Sequence, residues 1–318
     1  MTARVYPPQA SPAAIAIHEA RRQTFRQRMK TAARLLRTHP KSFRLRNRRW
    51  ATILLVNGLF GLGWHLDWEM LQGTFATSRL FGVPLSDPFA ALQLFIASRS
   101  VPEQILLGAL VVMGFYLVVG GRAFCSWVCP YSLLAEWVER IHLHLRKTRR
   151  IHDHSFPVTT RYGMTVIFLL LSALTGYAVF ETINPMAILN RAVIYGPSLA
   201  LVWVVGLLAF EAFYSRRGWC RYLCPLGVMF RLLGACSLLK VQYNLGTCHH
   251  DGACRQVCPA PDALEVTKAG HAPQLLNRLS GNCTSCGRCV EVCPTNSLNF
   301  VFVPFAPGAD DGEIRPPP

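Results

Sequence analysis

Acidic side chains are the scarcest chemistry in this chain. It carries 17 Asp and Glu against 33 Lys and Arg, and charged residues make up only 16% of it, which is low for a soluble domain. The first 50 residues hold thirteen Lys and Arg and one acid, Glu19. A surplus spread over a soluble surface would point to nucleic acid. Here it gathers at the N-terminus and beside apolar runs, so no nucleic-acid partner is expected. Other absences exclude other cofactors. There is no C-x-x-C-H for covalent haem, and the second, third and fourth apolar runs contain no histidine, which argues against a bis-histidine haem. No G-x-G-x-x-G follows a strand-like segment, so a nucleotide fold is unsupported. No apolar run before Arg49 would serve as a signal peptide.

Cysteine, by contrast, is abundant, with 12 residues, most of them in the stretch from Cys248 to Pro294. Cys283, Cys286, Cys289 and Cys293, followed by Pro294, spell C-x2-C-x2-C-x3-C-P. Three closely spaced thiolates wrap a cubane [4Fe–4S] cluster from one tight loop, and in two-cluster ferredoxins the fourth Cys of each run ligates the other cluster. The first half keeps that frame with one change: Cys248, Asp251, Cys254, Cys258, then Pro259. Crosswise assignment gives one cluster to Cys283, Cys286, Cys289 and Cys258. The other falls to Cys248, Cys254 and Cys293, with Asp251 as the candidate fourth ligand. A carboxylate is harder than a thiolate. The second centre is therefore a [4Fe–4S] cluster with one iron on Asp251, or a [3Fe–4S] cluster beside a solvated Asp251. Zinc is disfavoured, since structural zinc sites separate their ligand pairs by a dozen or more residues. Similar continuations, 261–266 and 295–300, follow the two runs and read as a duplicated strand–loop–helix–strand unit. The implied activity is electron transfer.

Hydrophobic residues make up 51% of the chain and are concentrated in runs. About 20 apolar helical residues cross a bilayer core of roughly 30 Å. Residues 50–66, 104–121, 162–180 and 192–210 are read as four transmembrane helices, with 89–98 too short to cross and better suited to an interfacial or re-entrant place. The Lys/Arg bias puts both termini in the cytoplasm, where thiols stay reduced. The expected fold class is an α-helical membrane protein, four transmembrane helices as two repeated hairpins, plus a C-terminal α+β two-cluster ferredoxin-like domain. Its parts are a basic cytoplasmic segment at 1–49, drawn to anionic lipid, the membrane domain at 50–240, the ferredoxin-like domain at 241–303, and a disordered tail at 304–318. The expected location is the bacterial inner membrane.

The membrane half contains a repeat. Asp87-Pro88-Phe89-Ala90-Ala91-Leu92 is similar to Asn184-Pro185-Met186-Ala187-Ile188-Leu189, and Phe124-Cys125-Ser126-Trp127-Val128-Cys129-Pro130 to Trp219-Cys220-Arg221-Tyr222-Leu223-Cys224-Pro225. On a helix, positions four apart share a face, so each C-x3-C presents two thiols together. Brought together, Cys125, Cys129, Cys220 and Cys224 make a four-thiolate site for a metal or a cluster; the alternative is four small buried residues closing helix ends. After Pro130, Leu134, Trp137, Val138, Ile141 and Leu145 fall at helical spacing and predict an amphipathic interfacial helix, a platform for the ferredoxin-like domain. Cys236 reads as an ordinary buried cysteine. His249 and His250 read as loop residues or as groups that tune a cluster.

The combination resembles the NapH/MauN family of ferredoxin-type proteins over roughly residues 45–300, with 83–88, 124–130, 181–185 and 218–220 especially similar to its NapH branch. The resemblance implies a quinol dehydrogenase component that draws on the membrane quinol pool. It would pass electrons, with a soluble iron–sulfur partner, toward a periplasmic reductase such as nitrate reductase. Asp67, Glu69, Asp87 and Glu181 are candidate proton acceptors for a quinol. A second reading is maturation or copper handling for an oxidoreductase such as nitrous oxide reductase or methylamine dehydrogenase.

Overall fold

The computed structural model describes residues 10–20, 44–66, 71–148, 151–154, 156–157 and 159–303. Asp67, Glu69, most of the basic N-terminal segment and the tail 304–318 lie outside the described residues.

The helical part corrects the membrane expectation. Among the described residues no helix is long and apolar enough to cross a membrane, so four transmembrane helices and a multi-pass inner-membrane location are not supported. Each expected span fails for its own reason. The helix Arg44–His65 has 22 residues, but four arginines fill its first six positions. Glu103–Val119 has 17, about 25 Å at a rise of ~1.5 Å per residue. Thr160–Thr175 stops where Gly176 turns left-handed at φ 71°. Gly196, at φ 94°, divides the fourth run between Pro185–Tyr195 and Ala200–Phe213.

The repeat survives as local structure. Asp87 and Asn184 each cap a helix whose first residue is proline, and their side chains accept from Phe89 N (2.8 Å) and Met186 N (3.2 Å). Short polar caps followed by Pro at the first position satisfy donors that the helix cannot. The two copies meet in one core, where Phe89 packs on Phe180 and Phe180 stacks on Trp219. Fully buried Gln93 donates to Ser172 at 2.7 Å, tying Pro88–Ser98 to Thr160–Thr175. One element has no counterpart in the sequence reading: an antiparallel sheet of Leu71–Gly73, Thr77–Leu80 and Val83–Ser86. Its second turn, Phe81-Gly82, has both residues at positive φ, the geometry that matches strand twist in a two-residue hairpin.

The ferredoxin-like part is built on an antiparallel sheet in which Leu239–Asn244 lies between Leu276–Arg278 and Leu298–Phe302. Each cysteine run bends into a five-residue helix, Ala253–Val257 or Arg288–Val292, after a left-handed glycine, Gly252 or Gly287. The N-terminal helix Pro12–Ala20 packs here too: Ala14 is fully buried in this core, and His18 reaches the Ala272 carbonyl at 3.2 Å.

Candidate redox site

The fold brings the cysteine runs together crosswise. Burial pushes the Cys258 thiol up, and Cys286 and Cys283 push it further. Cys289 responds to Cys286, Cys283 and Cys258 in the same way, so these four thiols share one neighbourhood. Around the other centre, Cys248, Asp251, Cys254 and Cys293 line a single small pocket. Burial raises the Cys254 thiol to about 11, with Cys248, Asp251 and Cys293 adding to it. Asp251 Oδ1 accepts from Ala253 N, while its buried Oδ2 has no donor. Among the described residues no three His, Cys, Asp or Glu side chains converge tightly enough to hold a single metal ion. The donor set is rich in thiolate and gathered without converging, which fits a polynuclear cluster better than one zinc.

Hydrogen bonds already surround the sulfurs. His250 N donates to Cys248 Sγ at 3.3 Å, and Ser297 N to Cys293 Sγ at 3.3 Å. The His250 ring Nδ1 lies 3.2 Å from the Thr267 carbonyl and 4.0 Å from Cys248 Sγ. A carbonyl only accepts, so Nδ1 carries the proton. Of the two readings of His250, the contacts favour the one in which it tunes a cluster.

The C-x3-C-P motifs also meet. All four are half-buried; desolvation raises the Cys129 and Cys220 thiols, Cys125 and Cys224 push Cys129 further, and Glu211, Cys129 and Cys224 push Cys220 further. Both motifs close with the same wide turn, Cys129 N to Phe124 O (3.1 Å) and Cys224 N to Trp219 O (2.9 Å). These bonds run five residues back, so neither motif is the simple helix face that the spacing suggested. Buried Glu211 stands beside them and escaped the sequence reading. Its Oε1 accepts from Trp219 N at 3.0 Å, and burial raises its carboxyl to about 7. A lone acid at the end of an apolar run was the available signal.

The first motif sits directly on the loop of the complete cysteine run. Ser126 Oγ donates to the Thr284 carbonyl, and Trp127 Nε1 to the Ser285 carbonyl at 3.1 Å. Arg122 Nη1 donates to Asn282 O at 3.1 Å. From the second repeat, Arg216 Nη2 donates to the Cys258 carbonyl at 2.9 Å.

Between these parts lies helix Pro130–Lys147, amphipathic as its spacing predicted, with its apolar stripe outward and its acidic face turned to the protein. Trp137 and Ile141 are exposed, while Glu136 and Glu139 are buried. Arg49 reaches Glu136 at 3.2 Å, Arg217 reaches Glu139 at 2.8 Å, and Arg288 lies within 4 Å of both acids. Burial would raise both carboxyls. The surrounding arginines outweigh it and hold them below the usual carboxylate range. Cys236, expected to be buried, is exposed.

Of the candidate acids, Asp87 and Glu181 are brought against each other. Asp87 lines an apolar cavity on whose wall Phe124 and Val128 of the first motif also lie.

Comparison with known proteins agrees with this layout. A 4Fe-4S dicluster domain matches residues 240–295. A 4Fe-4S binding domain matches 104–151 and 197–242, which include both C-x3-C-P motifs. The chain is 32% identical to the ferredoxin-type protein NapH of Haemophilus influenzae, over 78% of this chain and 86% of that one. It is 33% identical to NapH of Escherichia coli over 78% and 88%. With the methylamine utilization ferredoxin-type protein MauN of Methylorubrum extorquens it shares 35% over 84% and 91%. No solved structure matches. The cofactors are [4Fe–4S] clusters.

Proposed function

The chain belongs to the NapH and MauN family of ferredoxin-type proteins, iron–sulfur proteins of electron transfer, and on that premise we propose that it oxidises a hydroquinone and relays the electrons to a protein acceptor. In this reading Cys258, Cys283, Cys286 and Cys289 hold one [4Fe–4S] cluster. Cys248, Cys254 and Cys293 hold a second, with the unpartnered Asp251 Oδ2 on its fourth iron. Cys125, Cys129, Cys220 and Cys224 hold a third centre, supported by the 4Fe-4S match that spans both motifs. Bound clusters supply one-electron steps at potentials set by charge, burial and hydrogen bonds to sulfur.

The chain's own residues hold the relay together. Ser126 and Trp127 clamp the loop that bears Cys283 and Cys286, and Arg216 clamps the backbone at Cys258. The observation that carries the reading is the first of these contacts, because it seats the middle of one thiol motif on the loop of another. The family resemblance suggests a soluble iron–sulfur partner and a periplasmic reductase downstream, while the name of the MauN relatives suggests methylamine utilization.

The test is anaerobic. Purified protein is assayed for iron, examined by low-temperature EPR, and mixed with a hydroquinone. Reduction of the clusters is the expected result, and a protein reduced by dithionite but by no hydroquinone would overturn the relay. The metal-handling alternative is separated by serine replacement of the four motif cysteines. Loss of copper binding with hydroquinone-linked reduction intact would favour that alternative.

A further inference from the structure

A cavity of about 290 Å³ lies between the hairpin 77–86, helix Glu103–Val119 and the first C-x3-C-P motif. Its volume is close to the lower bound of roughly 300 Å³ for small-molecule sites. The walls are apolar and rich in aromatic rings, among them Phe60, Phe75, Tyr116, Phe124 and Phe230. One end is polar. Ser86 and Asp87 line it and are 2% and 5% exposed; Ser86 Oγ has no hydrogen-bond partner, and the Asp87 carboxyl lies against that of Glu181. An orphan buried oxygen costs free energy unless something fills the site. At the other end Leu59 and Leu80 line the cavity while 37% and 38% exposed, which marks its mouth.

Phe124 and Val128 also line this cavity, and the next residues in the chain are Cys125 and Cys129. Tyr116 on the same wall feels the charge of Cys125. A ligand held here therefore abuts the thiol motif that rests on the complete cysteine run.

From this geometry we propose that the cavity is the site where a hydroquinone binds and is oxidised, with Asp87 as its proton acceptor and the Cys125/Cys129 side as its electron exit. The proposal rests on the relay reading above and gives it a location. A planar aromatic diol matches both ends: its ring lies among the aromatic walls, and an apolar tail leaves between Leu59 and Leu80. One hydroxyl donates to Asp87 Oδ2, and its oxygen accepts from Ser86 Oγ. Oxidation breaks both O–H bonds and yields the quinone, two electrons and two protons. The electrons go one each to two oxidised [4Fe–4S] clusters. The proton of the hydroxyl at Asp87 passes to that carboxyl and on to Glu181, which lies against it, and the hydroxyl on the far side of the ring gives its proton to water at the mouth between Leu59 and Leu80.

The experiment uses full-length, cluster-loaded protein and a decyl-substituted benzohydroquinone. Val112→Trp fills the cavity and Asp87→Asn removes the acceptor while keeping its shape. With iron content and dithionite reduction unchanged, Val112→Trp is expected to weaken quinone binding by about tenfold or more. Asp87→Asn is expected to slow cluster reduction by about a hundredfold even at saturating hydroquinone, the scale of a lost general base. An azido-quinone should label wild-type protein within 56–60 or 75–88, which decides the matter if Val112→Trp fails to load iron. Wild-type reduction rates in both variants, or labelling elsewhere, would overturn the location and leave the relay standing. A wild-type protein that no hydroquinone reduces would instead remove the relay itself.

Discussion

At the residue scale, Asp251 and His250 are the informative positions. Asp251 replaces a thiolate with a carboxylate inside a pocket of three cysteines. Asp251→Ala should therefore release one iron and convert that centre to [3Fe–4S], checked by iron assay and EPR; an unchanged spectrum would exclude Asp251 as a ligand. The His250 Nδ1 proton goes to the Thr267 carbonyl, and the polar N–H edge of the ring lies 4.0 Å from Cys248 Sγ. Donors to sulfur stabilise the reduced, more negative cluster. His250→Ala should make the potential of that cluster more negative in an EPR-monitored redox titration. Asp251 was legible because the spacing isolates it. The role of His250 was not, since a loop histidine gains a partner only once the chain folds back past Thr267.

At the element scale, helix Pro130–Lys147 keeps its apolar stripe outward and buries its acids. Its glutamates face inward because arginines from three distant places, Arg49, the adjacent Arg216 and Arg217, and Arg288, are gathered there. Removing one partner from a buried ion pair costs about 3–5 kcal/mol, so Glu139→Gln should lower stability to denaturant by that order. The pH dependence follows from the depressed carboxyls of Glu136 and Glu139. A carboxyl held lower in the folded than in the unfolded state binds more protons when unfolded. Its stabilisation is complete above the ordinary carboxylate range and is lost as pH falls through the lower folded value. Acid unfolding should therefore be less steep in Glu139→Gln than in the parent chain. A second element contact is equally tight. A Cβ on Gly121 would lie 2.0 Å from Gly234 N, in the helix Leu226–Cys236. Backbone cannot yield there, and Gly121→Ala should cost about 1–3 kcal/mol or more through overpacking, read as a lower denaturation midpoint.

At the scale of the whole molecule, the two repeats and the ferredoxin-like part form one electron-transfer unit because their contacts converge on cysteine loops. Replacing Cys125 and Cys220 by Ser should lower iron content by one cluster's worth while the EPR signals of the C-terminal clusters persist. Unchanged iron would leave the motifs as structural closures of their turns.

What the sequence determined by itself is local chemistry: cysteine spacing, helix caps followed by proline and the duplicated motifs follow from neighbours along the chain and hold wherever that segment goes. Apolar runs determined less. They fix neither burial nor length: Leu54, Leu110, Leu174 and Val202 within them are exposed, and Gly176 and Gly196 broke two of them where the backbone turned left-handed. Tertiary structure alone decided that Glu211 stands beside the C-x3-C-P motifs, that distant arginines gather on Glu136 and Glu139, and that Ser86 and Asp87 close an apolar cavity. Those outcomes depend on residues far apart in the chain competing for the same enclosed space, and that competition has no signature in spacing.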